Sequence, residues 1–154
     1  MYEKIVVPLD GSKTGEAALP YVEDIVSKLS PEVKTEVVLL QVLAPASIHT
    51  VSGMTPSDIP YTQQQMEKTK EEAMEYLNQI GEALRSKGVT VTAKLAIGDA
   101  SDHIVKVAQE INANLIAMST HGRSGFSRWA FGSVTDKVLR REGRIPIAMV
   151  RAPR

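Results

Sequence analysis

Five short apolar runs, separated by stretches with helical spacing, constrain this chain more than any other feature. They are KIVVPL (Lys4–Leu9), EVVLLQVL (Glu36–Leu43), VTVTAKLAI (Val89–Ile97), LIAM (Leu115–Met118) and IPIAMV (Ile145–Val150). A strand covered by helices on both faces reads as a nearly continuous apolar run, because neither side meets water. The third run alternates instead, which predicts a less buried strand at an edge of the sheet. Pro146, near the start of the last run, also predicts an edge, since proline cannot donate to a ladder.

Between these runs the apolar residues recur at helical spacing. The first set is Ala17, Ala18, Tyr21, Val22, Ile25, Val26 and Leu29. The second lies on a long helix predicted over roughly Gln63 to Lys87, with Ala73, Tyr76, Leu77, Ile80, Ala83 and Leu84 on its apolar face. The third is Ile104, Val105, Ala108 and Ile111, and a last helix is predicted from about Gly132 to Arg141. Alternation of this kind predicts an α/β fold, a parallel sheet with helices on both faces. At 154 residues the chain is expected to form one domain, 1–154, with a core that needs no staples.

Local chemistry marks the boundaries. Asp10-Gly11-Ser12 ends the first strand with turn and capping residues. Pro20 falls inside a helical pattern and predicts either a kink or a short first turn. Gly88 stops the long helix, Asp99 caps the next, and Asn112 to Asn114 closes that one. The segment Ala44–Pro60, with Pro45, Gly53, Pro56 and Pro60, is long for a connection in a compact domain and is expected to be functional or mobile.

Several functional classes are disfavoured at once. There is no cysteine, hence no disulfide framework and no thiolate metal site. His49, His103 and His121 lie in separate segments without the i, i+4 pairing of a zinc helix, so no protein metal site is expected. No apolar run approaches a membrane span, and the one near the N-terminus is too short for a signal-peptide core. A cytoplasmic location is expected. From His121 onward eight basic residues face only Asp136 and Glu142, a local excess that suits phosphate or a solvated helix face. A pI near 6.8 argues against nucleic acid.

In a parallel sheet of this kind, ligands lie beyond the carboxyl ends of the strands, where strand order reverses. The turns after the first and fourth strands are Asp10-Gly11-Ser12 and Ser119–Gly125. From Leu115 to Val138 the chain runs strand, glycine-rich loop, then Gly132-Ser133 at a helix start. Small residues admit close backbone approach, and unpaired N–H groups at a helix start favour an anion. The combination predicts a phosphate cradle. It is neither a Walker loop nor a G-x-G-x-x-G fingerprint. Asp10 can contact a ligand there or cap the segment at Lys13. Arg123, and secondarily Arg128, are candidates for phosphate contact. Trp129 and Phe131 are expected to pack the loop onto its helix, and His121 to shape it.

The opening IVVPLDGS, the central LIAMSTHGRSG, and FGSVTDKVL before the final PIAMV together resemble the universal stress protein family over the whole chain. The nucleotide-binding branch carries Gly-x-x-Gly, nine residues, then Gly and Ser or Thr. Here Gly122, Arg123 to Phe131, Gly132 and Ser133 match, and Ser119 stands at the first glycine. The resemblance implies a five-stranded parallel sheet in the order 3-2-1-4-5 and a homodimer through the last strand, Ile145–Val150. It implies ATP as ligand, with magnesium or manganese on its phosphates. It places Pro8 and Asp10 beside the adenosine, and Val42 at adenine through its backbone. It places Met118, Ser119, Thr120, His121, Gly122, Arg123, Ser124 and Gly125 around ribose and phosphates. Gly132, Ser133, Val134 and Thr135 follow at the helix start.

The reading is therefore an ATP-holding regulatory module of stress tolerance. Two alternatives stand beside it. One is a slow ATPase or a phosphoryl or nucleotidyl transferase using Asp10, His121 and Arg123, although no residue is compelled as general base. The other is a nucleotide-free dimeric interaction protein.

Overall fold

The computed structural model describes residues 3–43, 59–120 and 132–153. Strand β1 spans Lys4–Leu9, followed by a single 3-10 turn at Gly15–Ala17 and helix α1 at Ala18–Lys28. Then come β2 (Glu36–Leu43), α2 (Ile59–Arg85), β3 (Thr90–Ile97), α3 (Ala100–Glu110), β4 (Leu115–Thr120), α4 (Ser133–Arg141) and β5 (Ile147–Arg151). The five strands form one parallel sheet in the order β3-β2-β1-β4-β5, as expected. β3 and β5 are its edges, which accounts for the alternation of the one and for Pro146 just before the other.

Side chains of successive strand residues point to opposite faces, and β1 shows both halves of the core. Ile5, Val7 and Leu9 join Leu19 and Val22 of α1 and Leu77 and Leu84 of α2. Val6 joins Leu40 of β2, Ile104 and Val107 of α3, and Val138 of α4. Each helix covers one face, so neither side of β1 is left to water.

The helix ends follow their sequence signals closely. Pro20 is the third residue of α1, where helical N–H groups have no intrahelical partner, so the short first turn is the alternative realised. Asp99 caps α3 by accepting from the Asp102 amide at 3.0 Å. Gly88 takes φ +83° beyond α2, a left-handed conformation that disfavours a side chain. Asn114 Oδ1 accepts from the Lys4 amide at 2.9 Å, pinning the start of β1 to the entry of β4.

Other boundaries differ from expectation. α2 begins at Ile59 rather than Gln63 and stops at Arg85 rather than Lys87. Pro60 falls in its first turn, which needs no donor. β4 continues past Met118, because Ser119 and Thr120 pair with Val150 and Arg151. β5 begins two residues late, since Pro146 offers no N–H, though its carbonyl accepts from the Ile116 amide at 3.0 Å. Most of the long segment Ala44–Pro60, residues 44–58, lies outside the described residues.

Glu142 closes α4 and is 6% exposed. Its carboxylate accepts from the Arg144 and Ile145 amides at 2.8 and 3.0 Å and from Gln109 Nε2 at 3.1 Å. Burial alone would raise its pKa, but these hydrogen bonds and the Arg144 charge outweigh burial and hold it below the usual range. A lowered folded-state pKa gives stability that is present above the unfolded value, about 4.3, and lost as pH falls through the folded one. Glu142→Gln is therefore expected to cost about 1–3 kcal/mol at pH 7. Urea midpoints measured from pH 7 down to pH 3 should show that difference shrinking with acid.

Candidate functional site

β1 and β4 pair only at Ile5 with Leu115 and Val6 with Ile116. Beyond that point β1 stays with β2 as far as Leu9, and β4 stays with β5 as far as Thr120. The two central strands thus part at their carboxyl ends, and a cavity of about 240 Å³ opens between them. This is the switch point that the strand order requires.

The cavity has two unlike sides. Leu40 and Val42 of β2, with Ala100 and Ile104 of α3, make an apolar wall. A more polar part of the lining comes from Ser119 and Thr120 at the end of β4, and from Gly132, Ser133, Val134 and Thr135 at the start of α4. Pro8, Asp10, Thr14 and Gly15 close a third side from β1 and the turn after it, and Met118 also reaches the lining. Ten of the fifteen residues expected at the site therefore share one cavity. The other five, His121, Gly122, Arg123, Ser124 and Gly125, lie outside the described residues, as do Arg128, Trp129 and Phe131.

Asp10 does not cap a helix. Its Oδ1 accepts from the Ser12 amide at 2.9 Å and the Ser12 hydroxyl at 2.6 Å, closing a local turn. No donor among the described residues is bonded to Oδ2. Gly15 lies against this carboxylate so closely that a Cβ there would collide with Asp10 Oδ1 and stand 3.2 Å from Asp10 Cγ. The adjoining turn is anchored from α2, where the Tyr76 hydroxyl donates to Glu16 Oε1 at 3.1 Å. Burial, then the Glu16 carboxylate, hold the Tyr76 proton well above the usual tyrosine range, so this group stays a donor.

Ser119 also turns inward. Its hydroxyl accepts from the Ala18 amide at 2.9 Å and donates to the Gly15 carbonyl at 2.7 Å. The first amide of α1 is thereby satisfied by a side chain from β4. α4 is different. Gly132 precedes it in an extended conformation with no side-chain cap, and its first internal bond is Asp136 N–H to Gly132 O at 3.0 Å. The amides of Ser133, Val134 and Thr135 come before that bond, at the positive end of the helix dipole. A Cβ on Gly132 would meet no described atom within 4 Å, so space at this end is open.

The basic residues of α4 are engaged elsewhere. Lys137 pairs with Asp99 at 3.6 Å, Arg140 with Asp136 at 2.8 Å, and Arg141 with Asp102. Of the two explanations for the basic C-terminal part, the solvated helix face fits these three. Among the described residues no group of three or more His, Asp or Glu could hold a metal ion.

Sequence reasoning did not single out Leu9, Thr14, Gly15, Leu40, Ala100 or Ile104 as lining. Thr14 and Gly15 follow the first strand directly, and Ala100 follows the Asp99 cap, so position at the carboxyl edge was the available signal. Leu40 and Ile104 carried none, because their spacing is that of core residues.

The universal stress protein family matches residues 1–151, and the chain belongs to that family. It is 29% identical over 160 residues to universal stress protein MJ0577 of Methanocaldococcus jannaschii, covering 98% of this chain and 96% of the relative. The solved structure of MJ0577 superposes with a TM-score of 0.80 at 28% identity, over 100% of this chain and 99% of that one. Two more distant structures share the fold. A universal stress protein solved in complex with cAMP gives a TM-score of 0.67 at 18% identity, covering 99% and 98% of the two chains. An Arabidopsis thaliana member solved with AMP bound gives 0.66 at 17%, covering 98% and 92%. No helix among the described residues is long and apolar enough to cross a membrane.

Proposed function

We propose that this universal stress protein binds an adenine nucleotide, ATP in the first place, and acts as a nucleotide-dependent module of stress tolerance in the cytoplasm. The observation that carries the proposal is the two-sided cavity. An apolar wall of Leu40, Val42, Ala100 and Ile104 suits a base. The uncapped start of α4 suits phosphate, because its amides and dipole favour an anion. Asp10 Oδ2 suits ribose hydroxyls, since a charged acceptor makes the stronger hydrogen bond. The volume of about 240 Å³ lies just below the usual range of ligand clefts, about 300–1,000 Å³. It fits the nucleoside part, with phosphates at the start of α4. Two relatives of the same fold hold AMP and cAMP, which supports an adenine ligand.

Magnesium or manganese would enter on the phosphates, where it neutralises their charge. Homodimer formation through β5 belongs to the same proposal. β5 is an edge strand with Met149 39% exposed, and an edge offers unpaired backbone groups to another chain.

Isothermal titration with ATP and magnesium is expected to give saturable heats. Flat heats at millimolar ligand would remove the proposal. Ligand at a hundredfold excess over the dissociation constant adds about 2.7 kcal/mol to stability. In a domain of this size that should raise the melting temperature by about 5–10 °C.

A further inference from the structure

We infer that Ser119 is a positioning residue that sets the Asp10 carboxylate through a series of hydrogen bonds relayed by the Gly15 backbone, and so tunes selection for a ribose with both hydroxyls. This rests on the nucleotide reading above. The Ser119 hydroxyl donates to the Gly15 carbonyl at 2.7 Å. The Gly15 amide donates to Ser12 Oγ at 3.0 Å, and the Ser12 hydroxyl donates to Asp10 Oδ1 at 2.6 Å. Each donor in the series is used once and in one direction, so the hydroxyl rotors are fixed as a set. The amide of Ala18 fills an acceptor position on Ser119 at 2.9 Å, holding that oxygen from the other side.

The consequence is geometric. Gly15 can move only with its hydrogen bonds to Ser12 and Ser119, and it already touches the Asp10 carboxylate. Oδ1 is committed to Ser12, so Oδ2 is the acceptor presented to a ligand. Rotation of the carboxylate would break the Ser12 bonds. Glycine at position 119 would have no hydroxyl and could supply neither the bond to Gly15 nor the cap on Ala18. In this chain, then, the residue at the end of β4 acts on the part of the lining that β1 supplies, through the turn after β1.

The test is selectivity between ATP and 2′-deoxy-ATP, each with magnesium, by isothermal titration. The unaltered protein is expected to prefer ATP. Ser119→Ala should cut that preference by about threefold to tenfold, the worth of one or two neutral hydrogen bonds. Ser119→Thr, which keeps the hydroxyl, should restore it. In an Asp10→Asn background, Ser119→Ala should change the preference no further, because residues acting as one unit are not additive. A loss of folded protein lowers both affinities together and leaves their ratio unchanged, so instability cannot imitate the result. If the unaltered protein prefers ATP and Ser119→Ala keeps the full preference, the inference falls and the nucleotide reading stands. Equal binding of the two nucleotides by the unaltered protein has the same meaning. If neither nucleotide binds, the nucleotide reading itself falls and takes the inference with it.

Discussion

Leu77→Ala is expected to destabilise the fold by about 2–5 kcal/mol, the range for truncating a fully buried leucine. Leu77 is 0% exposed and sits where α2 crosses the sheet, in one cluster with Leu39, Val91 and Leu84. Two effects add. The removed methylenes lose their transfer free energy, and the space they leave is only partly refilled by a rigid sheet. α2 depends on this contact more than its length suggests. Gln63, Gln64, Gln65, Glu67, Lys68, Glu71 and Glu72 are all exposed, and the first residue of its described side chains to be buried is Ala73. The helix is therefore held mainly by Ala73, Leu77 and Leu84. Urea denaturation should show a lower midpoint with an unchanged slope. The melting temperature should fall by roughly 4–20 °C. A change under 1 kcal/mol would mean that α2 is anchored elsewhere.

Asp10→Asn is expected to weaken ATP binding by about tenfold to a hundredfold, with little change in stability. The magnitude follows from hydrogen bonds to a charged acceptor, worth about 1.5–3 kcal/mol, at 1.4 kcal/mol per decade. Asparagine keeps the shape and can still accept from Ser12, so the turn after β1 should persist. What changes is the acceptor facing the cavity. Calorimetric titration of both proteins checks the affinity, and their melting temperatures without ligand check the turn. Equal affinities would place ribose recognition on other residues. The same pair of proteins also addresses catalysis. A hydrolysis rate that falls with Asp10→Asn would favour the slow-ATPase alternative over binding alone.

How far the sequence could be read depended on where each element found its partners. β1 and β2 match expectation to the residue, because their apolar runs are nearly continuous from end to end. The ends of α3 and α2 were visible in Asp99 and Gly88, which act on adjacent backbone. β4 was expected two residues short, since Ser119 and Thr120 are polar and their ladder partners, Val150 and Arg151, lie some thirty positions away. The start of α2 was masked by Pro60, which reads as a breaker unless it falls in a first turn. The site divides in the same way. Asp10 and Gly132-Ser133 stood out by residue type and spacing, whereas Val134 and Thr135 came with the family resemblance. Leu40 and Ile104 did not, because an aliphatic side chain lining a cavity has the same periodicity as one filling a core. Ser119 was expected at the site and lines the cavity, but its partners Gly15 and Ala18 come from the 3-10 turn and helix that follow β1, and only the folded chain joins them.

The parting of β1 and β4 after two paired positions has a consequence for how such a protein can change over time. The hollow is made by two backbones diverging, with Val6, Ile116 and the residues around them fully packed just beneath it. A descendant could therefore lose Asp10, Ser119 and every other contact with a small molecule and still fold, keeping an intact scaffold whose recess is open to a new tenant or to none.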